Sequence, residues 1–415
     1  MNVLVLNCSR SSTKFAVVHA SNGHVHVTGA IQPIGSAQAT LDFDHEGRIE
    51  TRAVSAESTD ASLRTTFELL REIGLADRLI GVGHRVIHGG AKFSGSIFIT
   101  PEVIEKIKAC IPLGPLHNPS NVRGIEMAHE LFPTLPQVAV FDTAFHQTMP
   151  PRAYLYAVPY EWFEKHEVRR YGFHGTSHRF VSQKAVQRLG LDPEDHAIVT
   201  AHLGNGCSLC AVRNGESMDT TMGLTPLEGI VMDTRSGTID PSIIKHMKDA
   251  LGCTAEEVMD QLNNASGLLG VSGVSKDMLA IEDAARQGNE RAQLAIDKFC
   301  YSVAKQAAGM FVSLGRVDAL VFTGGIGENQ VHTRAQIVKL LEFAGFTLDP
   351  AANAVHGRMT DGRITRSTSP MAAVIPTNEE LMIAMDTAEI VERDAHLAER
   401  WGRRAALRPV EPSPR

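Results

Sequence analysis

Cationic and histidine side chains occur beside apolar segments in both halves of the chain, and one acidic residue follows a short apolar run. The set comprises His84, Arg85, His88, His117, Asp142, His146, His174, His178 and Arg235. An arginine guanidinium can bind a carboxylate or a phosphate through two parallel hydrogen bonds. Two arginines with several histidines therefore favour a site for an anionic substrate.

Three polar turns follow apolar segments, at residues 7–14, 204–208 and 324–329, and the second and third contain glycine. Glycine lets backbone amides approach an anion without a β-carbon in the way. Together the turns suggest a nucleotide. They match neither the Walker pattern nor the dinucleotide-binding glycine spacing, so a P-loop or Rossmann cofactor site is not indicated.

Metal, redox and serine-nucleophile sites are not favoured. Cys207 and Cys210 lack a second cysteine pair, and their surroundings alternate as in a strand. His174 and His178 could share a helical face, but Gly172 and Gly175 favour a loop there, so we do not expect zinc. The Gly-x-Ser-x-Gly pattern of hydrolases does not occur.

Length and composition restrict the class of protein. The 415 residues correspond to two or three domains, and 43% hydrophobic with 21% charged residues is typical of a folded globular chain. A net charge of -7 disfavours a polyanion partner such as nucleic acid or an anionic membrane. Six scattered cysteines indicate a reducing cytoplasm. The apolar residues 1–6 predict a buried strand rather than a signal peptide, and no run reaches membrane-spanning length.

Hydrophobic patterning predicts alternating strands and helices. Predicted strands cover residues 3–6, 15–18, 79–82, 137–141, 197–203, 207–213 and 319–323. Predicted helices cover residues 60–74, 101–111, 121–131, 241–251, 255–263 and 290–314, and a last helical pattern begins at Glu379 and runs to about residue 407. A hairpin opens each half, which predicts an α/β protein built from two architecturally related domains.

Nine motifs resemble the acetate kinases, the acetokinase family of short-chain carboxylate kinases, in the family's own order. They are VLVLN (3–7) with SSTK (11–14), GHRVIHGG (83–90), PLHNP (115–119), FDTAFH (141–146), YGFHGTSH (171–178), HLGNG (202–206), TRSG (234–237), FTGGIGEN (322–329) and TNEE (377–380). The resemblance extends to about residue 391.

The resemblance implies two actin-like, ribonuclease H-like α/β domains with an active-site cleft between them, in a homodimer. It implies an N-terminal domain at residues 1–147, completed by a helix at 380–400, and a second domain at 148–379 with the nucleotide site and dimer interface. Residues 401–415 are expected to be a disordered tail. The implied reaction is reversible phosphoryl transfer from ATP to acetate, with Mg²⁺ (or Mn²⁺) as cofactor, giving acetyl phosphate and ADP.

The resemblance also assigns residues. It implies catalytic roles for Asp142, His174, Asn205 and Arg235, magnesium ligation by Asn7 and Glu379, and acetate binding by Arg85, His117, Ile87, Leu116, Phe173 and Pro226. The implied nucleotide site comprises Ser12, Lys14, His202, Leu203, Gly204, Asn205, Gly206, Asp277, Met278, Leu279, Gly325, Ile326, Gly327, Glu328 and Asn329. Because acetate is already an anion, Asp142 is expected to position groups rather than act as a base.

Some positions depart from the family pattern. Arg10 lies where a small hydroxyl residue is usual, Asp233 replaces a glycine, Thr238 an aspartate and Leu279 an arginine. Ile87 replaces a smaller valine and should keep the acetate pocket tight. Two alternatives stay open: a propionate or butyrate kinase, which a series of carboxylates would distinguish, and a non-catalytic actin-like ATP switch. The switch would leave Arg85, His174 and Arg235 without a purpose.

Overall fold

The computed structural model describes residues 1–395 and residue 397. The chain divides into two compact units: residues Met1–Ala144 with the segment that begins at Asn378, and residues Phe145–Thr377. The predicted division after residue 147 falls within a short 3₁₀-helix, Ala144–Thr148. The predicted tail at 401–415 lies outside the described residues.

The described part of the first unit contains eight strands and, before Ala144, three α-helices. The strands are β1 Asn2–Cys8, β2 Thr13–His19, β3 Val25–Gln32, β4 Ser36–His45, β5 Arg48–Ala56, β6 Leu79–Val86, β7 Ile97–Phe98 and β8 Gln137–Phe141. The helices are α1 Thr59–Glu72, α2 Pro101–Ala109 and α3 Asn118–Leu131. The strand order is β5-β4-β3-β2-β1-β6-β8-β7.

The second unit adds helices α4 Pro151–Tyr154, α5 Tyr160–His166 and α6 Gly175–Leu189 and then strands β9 Ala197–Leu203, β10 Cys207–Arg213 and β11 Glu216–Thr220. Helices α7 Ser242–Leu251, α8 Ala255–Asn264, α9 Gly267–Ser272, α10 Met278–Arg286 and α11 Glu290–Leu314 follow. The unit ends with β12 Ala319–Thr323, α12 Gly324–Asn329, α13 Val331–Leu340, α14 Pro350–Ala354 and β13 Met371–Val374. Its strand order is β11-β10-β9-β12-β13.

The two sheets share one arrangement. In the first unit, β1 pairs with β2 in antiparallel and with β6 in parallel, and β6 pairs in parallel with β8. In the second unit, β9 likewise pairs with β10 in antiparallel and with β12 in parallel, and β12 with β13 in parallel. The order β3-β2-β1-β6-β8 thus matches β11-β10-β9-β12-β13, which confirms the predicted repeat of architecture.

A C-terminal helix, α15 (Glu379–Arg393), returns to the first unit and packs on β1 and β6. Gly83 permits this close packing, because a β-carbon there would lie 2.4 Å from Oγ1 of Thr387 and 2.7 Å from Cγ2 of Ile383. On the other face of the sheet, Gly124 of α3 lies against Cys8. Helices therefore cover β1 and β6, the strands that carry Asn7 and Arg85.

Four local predictions are wrong. Strand β6 continues to Val86, so Arg85 lies in a strand rather than after one. Asn7 and Lys14 are opposite each other in the paired strands β1 and β2, outside the turn. Gly175 begins helix α6 instead of extending a loop, and Gly324 begins helix α12 instead of a turn. The helix predicted at 380–400 is described as Glu379–Arg393, and residue 396 and residues 398–400 lie outside the described residues. Strands β3 to β5 were not predicted.

Membrane-spanning segments and cysteine pairing bear on the expected reducing cytoplasm. The described residues contain no helix with the length and hydropathy needed to span a membrane. The six cysteines are unpaired, and five of them are buried.

Candidate active site

Arg85 is held by a bidentate ion pair in the first unit. It lies near the end of β6, and Asp142 directly follows the neighbouring parallel strand β8, so both reach the same edge of the sheet. Nε of Arg85 donates to Oδ1 of Asp142 at 2.8 Å, and Nη2 donates to Oδ2 at 2.7 Å. The Asp142 side chain is only 2% exposed. Two of the guanidinium's nitrogens are therefore engaged, and the plane of Arg85 is fixed.

Glu379, the first residue of α15, lies beside this pair, with Oε2 3.9 Å from Nε of Arg85. Burial raises the pKa of Glu379. The positive charge of Arg85 opposes this rise, and the negative charge of Asp142 raises the pKa further. Burial by itself would lower the pKa of Arg85, but Asp142 and Glu379 outweigh it and raise that pKa. Two carboxylates thus lie beside one guanidinium. A further cation nearby would offset the second negative charge.

A cavity of about 460 Å³ adjoins these residues within the first unit. Its lining includes Asn7, Lys14, Arg85, Glu379 and Glu380. Asn7 and Lys14 are brought together by the antiparallel register of β1 and β2. The cavity therefore combines oxygen ligands for a hard cation with two basic side chains for an anion.

Two asparagines at the start of α3 position the segment that follows β6. Oδ1 of Asn118 accepts a hydrogen bond from the His88 amide at 3.1 Å, and Nδ2 of Asn118 donates to the His88 carbonyl at 2.8 Å. Oδ1 of Asn121 accepts from the Ile87 amide at 3.1 Å, and its Nδ2 donates to the Cys8 carbonyl at 2.7 Å. These buried amides tie the chain after Arg85 to the end of β1.

A hydrogen-bonded chain of side chains orients His174 in the second unit. His174 precedes α6 with a left-handed backbone (φ 56°), and its Nδ1 lies 2.9 Å from Oγ of Ser208. The same oxygen lies 2.8 Å from Nε2 of His178, whose Nδ1 lies 2.7 Å from Oγ1 of Thr200. Burial, with the charges of His146 and His202 adding to it, lowers the pKa of His178, so this ring is neutral near pH 7.

The donor and acceptor of each of these side-chain hydrogen bonds can be assigned in turn, starting from Thr200. The Thr200 hydroxyl donates to the Cys210 carbonyl at 3.4 Å and so accepts from Nδ1 of His178. Because His178 is neutral, its Nε2 accepts from the Ser208 hydroxyl, and Ser208 accepts from Nδ1 of His174. The proton of His174 is thereby placed on Nδ1.

Arg235 and His174 both lie against Gly206, in the turn between β9 and β10. A β-carbon at Gly206 would lie 2.8 Å from Nη2 of Arg235 and 3.2 Å from Nε2 of His174. Nη1 of Arg235 donates to the Pro226 carbonyl at 2.7 Å. Burial lowers the pKa of Arg235, and the charge of Asp233 opposes the shift. The absence of a side chain at Gly206 therefore leaves room for both the guanidinium and the imidazole.

The glycine-rich segment after β12 is a short helix whose start is capped by its own acidic residue. Oε1 of Glu328 accepts from the Gly324 amide at 2.9 Å, from the Thr323 hydroxyl at 3.2 Å and from the Thr377 amide at 3.1 Å. The buried Arg334 donates to the Gly327 carbonyl at 3.0 Å and to the Glu328 carbonyl at 2.9 Å. Glu328 therefore fixes this segment through its side chain.

The chain matches the model of the acetokinase family over residues 2–385. It is 49% identical over 391 residues to an acetate kinase of Deinococcus radiodurans, with 94% of this chain and 98% of that protein covered. The chain belongs to the acetokinase family. It is also 48% identical over 389 residues to an acetate kinase of Chromobacterium violaceum, with 94% and 98% covered.

Solved structures of acetokinase relatives have the same fold. A propionate kinase from Francisella tularensis superposes with a TM-score of 0.90 at 44% identity, covering 94% of this chain and 99% of that one. An acetate kinase from Porphyromonas gingivalis gives a TM-score of 0.88 at 42% identity, with 94% and 99% covered. The expected α/β class with actin-like units is confirmed.

The residues singled out by resemblance to the acetokinases are distributed over both units. In the first unit, Asn7, Lys14, Arg85 and Glu379 line one cavity, with Asp142 bonded to Arg85; in the second, His174, Gly206 and Arg235 adjoin one another. The apolar residues are divided: Ile87 is half-buried and Leu116 exposed in the first unit, whereas Phe173 is buried and Pro226 contacts Arg235 in the second. His117 is the residue before α3.

The nucleotide residues also fall into groups. Ser12 belongs to the β1–β2 turn, where its hydroxyl lies 3.0 Å from that of Ser9, while Arg10 is exposed. His202, Leu203, Gly204, Asn205 and Gly206 form the end of β9 and its turn, and His202 stacks on His174 with ring centres 4.3 Å apart. Asp277 caps α10, Met278 is buried and Leu279 is exposed. Gly325, Ile326, Gly327, Glu328 and Asn329 make up the remainder of α12.

Sequence reasoning missed several supporting residues of this acetokinase: Asn118, Asn121, Ser208, Thr200 and Arg334. Each is polar and each lies in a buried position. A signal existed for two of them, because Asn118 lies within the PLHNP motif and Ser208 occupies an otherwise apolar strand segment. A buried polar side chain needs hydrogen-bond partners, and here the partners lie in or beside segments that carry candidate site residues.

We expect Ser208→Ala to lower kcat roughly tenfold to 100-fold, because Nδ1 of His174 loses the acceptor that fixes its proton and ring. The KM for ATP should change little, and the dependence of kcat on pH should shift. Steady-state kinetics across pH would check this. Ser182→Ala, also buried but bonded only within α6, is the matched control and should retain wild-type kinetics. Equal effects of the two substitutions would contradict the role of Ser208.

Proposed function

We propose that this chain catalyses reversible, in-line transfer of the γ-phosphoryl group of ATP to acetate, giving acetyl phosphate and ADP. The observation that carries the proposal is the placement of Arg85, held by Asp142, and of Arg235 beside His174, on motifs of a family whose members use ATP. A carboxylate oxygen forms the new bond to phosphorus, and the bond from phosphorus to the β,γ-bridging oxygen breaks.

The chemistry of acetate supports positioning and charge rather than base catalysis. Acetate is an anion at neutral pH, so no proton must leave it before attack. The obstacle is repulsion between a carboxylate and a polyphosphate, and guanidinium groups offset it where charge develops. Since both oxygens of Asp142 are bonded to Arg85, we assign Asp142 the role of positioning that cation.

His174 and Asn205 are proposed to donate hydrogen bonds to the phosphoryl group in flight. Nδ1 of His174 already donates to Ser208, so a donating Nε2 requires the imidazolium form. The transferring group, with its negative charge, favours that form. Arg235, which lies against the same glycine, would then supply a second cationic donor near His174.

The donor set in the first unit fits a magnesium ion. Asn7 and Glu379 offer amide and carboxylate oxygens on one cavity, and burial raises the pKa of Glu379, a cost that a nearby divalent cation would reduce. When bound, Mg²⁺ would offset the charge of the phosphates. Lys14 and Ser12 lie on the same β1–β2 hairpin, which supports a role for both in contacting the phosphates.

Propionate is the second candidate substrate, because a propionate kinase is among the similar structures. We expect acetate to be preferred, since Ile87 is larger than the usual valine. One methylene in an apolar pocket discriminates by only about 1–3 kcal/mol, so propionate should react measurably. The homodimer and the cytoplasmic location stay predictions.

A hydroxamate assay tests the proposal. The full chain is incubated with Mg-ATP, hydroxylamine and acetate, propionate or butyrate, and acyl phosphate is trapped as the hydroxamate. We expect product with acetate, less with propionate, and none without a carboxylate. A larger kcat/KM for propionate would favour the second candidate. Absence of product with all three acids, in protein that binds ATP, would favour the non-catalytic switch.

A further inference from the structure

Two histidines and a glutamate meet at one end of the first unit's sheet, on strands that carry none of the proposed catalytic residues. His26 is the second residue of β3 and His24 directly precedes the strand. In an extended chain, residues two positions apart have their side chains on the same face. Glu46 follows β4, and its amide donates to the His26 carbonyl at 3.2 Å. The pairing of β3 with β4, in which Val27 faces His45, thus brings Glu46 to His26.

The distances within this group suit a metal ion. Oε1 of Glu46 lies 3.1 Å from Nε2 of His24 and 3.0 Å from Nδ1 of His26. The three candidate ligand atoms lie within 4.8 Å of one another. Ligands about 2.0 Å from a tetrahedral zinc ion are about 3.3 Å apart, so small side-chain adjustments suffice. In the described part of the chain, this is the one group of three such residues with that proximity.

A hydrogen bond to Asn2 prepares His26 to be a ligand. Nε2 of His26 lies 3.2 Å from Oδ1 of Asn2, which only accepts, so Nε2 carries a proton. In the neutral ring, the lone pair of Nδ1 is then directed at Oε1 of Glu46. Two acceptors at this separation repel unless a proton or a cation lies between them. An outer amide oxygen that fixes the tautomer of a ligating histidine is a common feature of metal sites.

We propose that His24, His26 and Glu46 bind one divalent transition-metal ion, with water completing the coordination. Two imidazoles and one carboxylate are ligands typical of Zn²⁺. The side chains of His24 and Glu46 are 49% and 48% exposed and that of His26 is 15% exposed, so an ion can enter from solvent. The ion would join the start of β3 to the β4–β5 turn and stabilise this end of the sheet. Imidazole nitrogens favour zinc over magnesium, whereas magnesium prefers oxygen donors such as those of Asn7 and Glu379. The site does not depend on the proposed phosphoryl transfer.

The test is titration of the full chain with Zn²⁺ by calorimetry, with Mg²⁺ present at saturation. We expect one saturable site, whose affinity falls at least roughly tenfold in each of His24→Gln, His26→Gln and Glu46→Gln. His45→Gln, which changes a histidine at the end of the neighbouring strand β4 that is not in the group, is the matched control and should bind like wild type. Co²⁺ in place of Zn²⁺ should give the visible absorption of a tetrahedral site, and the same three variants should lose it.

Thermal unfolding supplies a second readout. Zn²⁺ should raise the Tm of the wild type and of His45→Gln but not that of His24→Gln. Because His24 is half exposed, its replacement leaves the core intact. Absence of saturable Zn²⁺ binding by the wild type, or equal binding by all variants, would overturn the proposal.

Discussion

Arg235→Ala is expected to lower kcat by roughly 10²- to 10³-fold while the KM for ATP changes little. The guanidinium lies beside Nε2 of His174 across Gly206 and is anchored by the Pro226 carbonyl, so its charge is directed at one point. A preorganised donor that acts where charge develops typically contributes several kcal/mol to the transition state and little to ground-state binding. Steady-state kinetics with hydroxamate detection would measure both constants.

The control for Arg235→Ala is Arg316→Ala. Arg316 is in the same unit but forms exposed ion pairs with Asp195 and Asp318, which contribute little to stability. It should retain wild-type kinetics. Arg235→Lys should recover only part of the activity, because an ammonium cannot make the same pair of directed hydrogen bonds. Unchanged kcat in Arg235→Ala would refute the role proposed for this residue.

Asp142→Asn is expected to lower kcat/KM for acetate by about 10²-fold. The substitution preserves size but leaves an amide NH₂ facing an N–H group of Arg85, where two carboxylate oxygens now accept at 2.8 and 2.7 Å. It also removes the charge that compensates a half-buried guanidinium, and breaking such a pair typically costs several kcal/mol. Arg85 should therefore lose its fixed orientation.

A double-mutant cycle separates positioning from base catalysis. If Asp142 acts through Arg85, then Arg85→Ala with Asp142→Asn should be about as active as Arg85→Ala alone. If Asp142 instead takes a proton, the second substitution should lower activity further, and kcat should lose an ionisation on the acid side. Additive losses would contradict the positioning role.

Much of the fold follows from local sequence where apolar patterning is strong. The strands Gln137–Phe141, Ala197–Leu203, Cys207–Arg213 and Ala319–Thr323 and the long helix Glu290–Leu314 coincide with the predicted bounds. They are buried or strongly amphipathic. Strands β3 to β5 were missed because they are largely polar and half-exposed, so their extended form is set by pairing with neighbours.

Glycine misled the prediction in two places for one physical reason. Gly175 and Gly324 were interpreted as loop residues, yet each begins a helix, where the first amides need no partner within the helix. Gly324 has a φ of 76° and lies close to the Leu203 backbone, so glycine is required by conformation and proximity. Local propensity cannot show such a requirement, because it comes from Leu203, which is 121 residues earlier in the chain.

The candidate residues could be named from motifs, but their relations could not. The spacing of Arg85 and Asp142 along the chain gives no indication that they form a bidentate pair; the parallel register of β6 and β8 creates it. The same is true of the Thr200, His178, Ser208 and His174 chain, which joins helix α6 to two strands. These relations turn separate residues of the chain into groups with a fixed orientation.

The most direct test of the central claim is a crystal structure of the full chain with Mg²⁺, ADP, acetate and aluminium fluoride, which mimics the phosphoryl group in transfer. We predict that Arg85, Arg235 and His174 all lie within hydrogen-bond distance of the fluoride ligands or the acetate oxygens, with the Arg85–Asp142 pair intact. Aluminium fluoride bound between ADP and acetate with either arginine turned away from it would contradict the account.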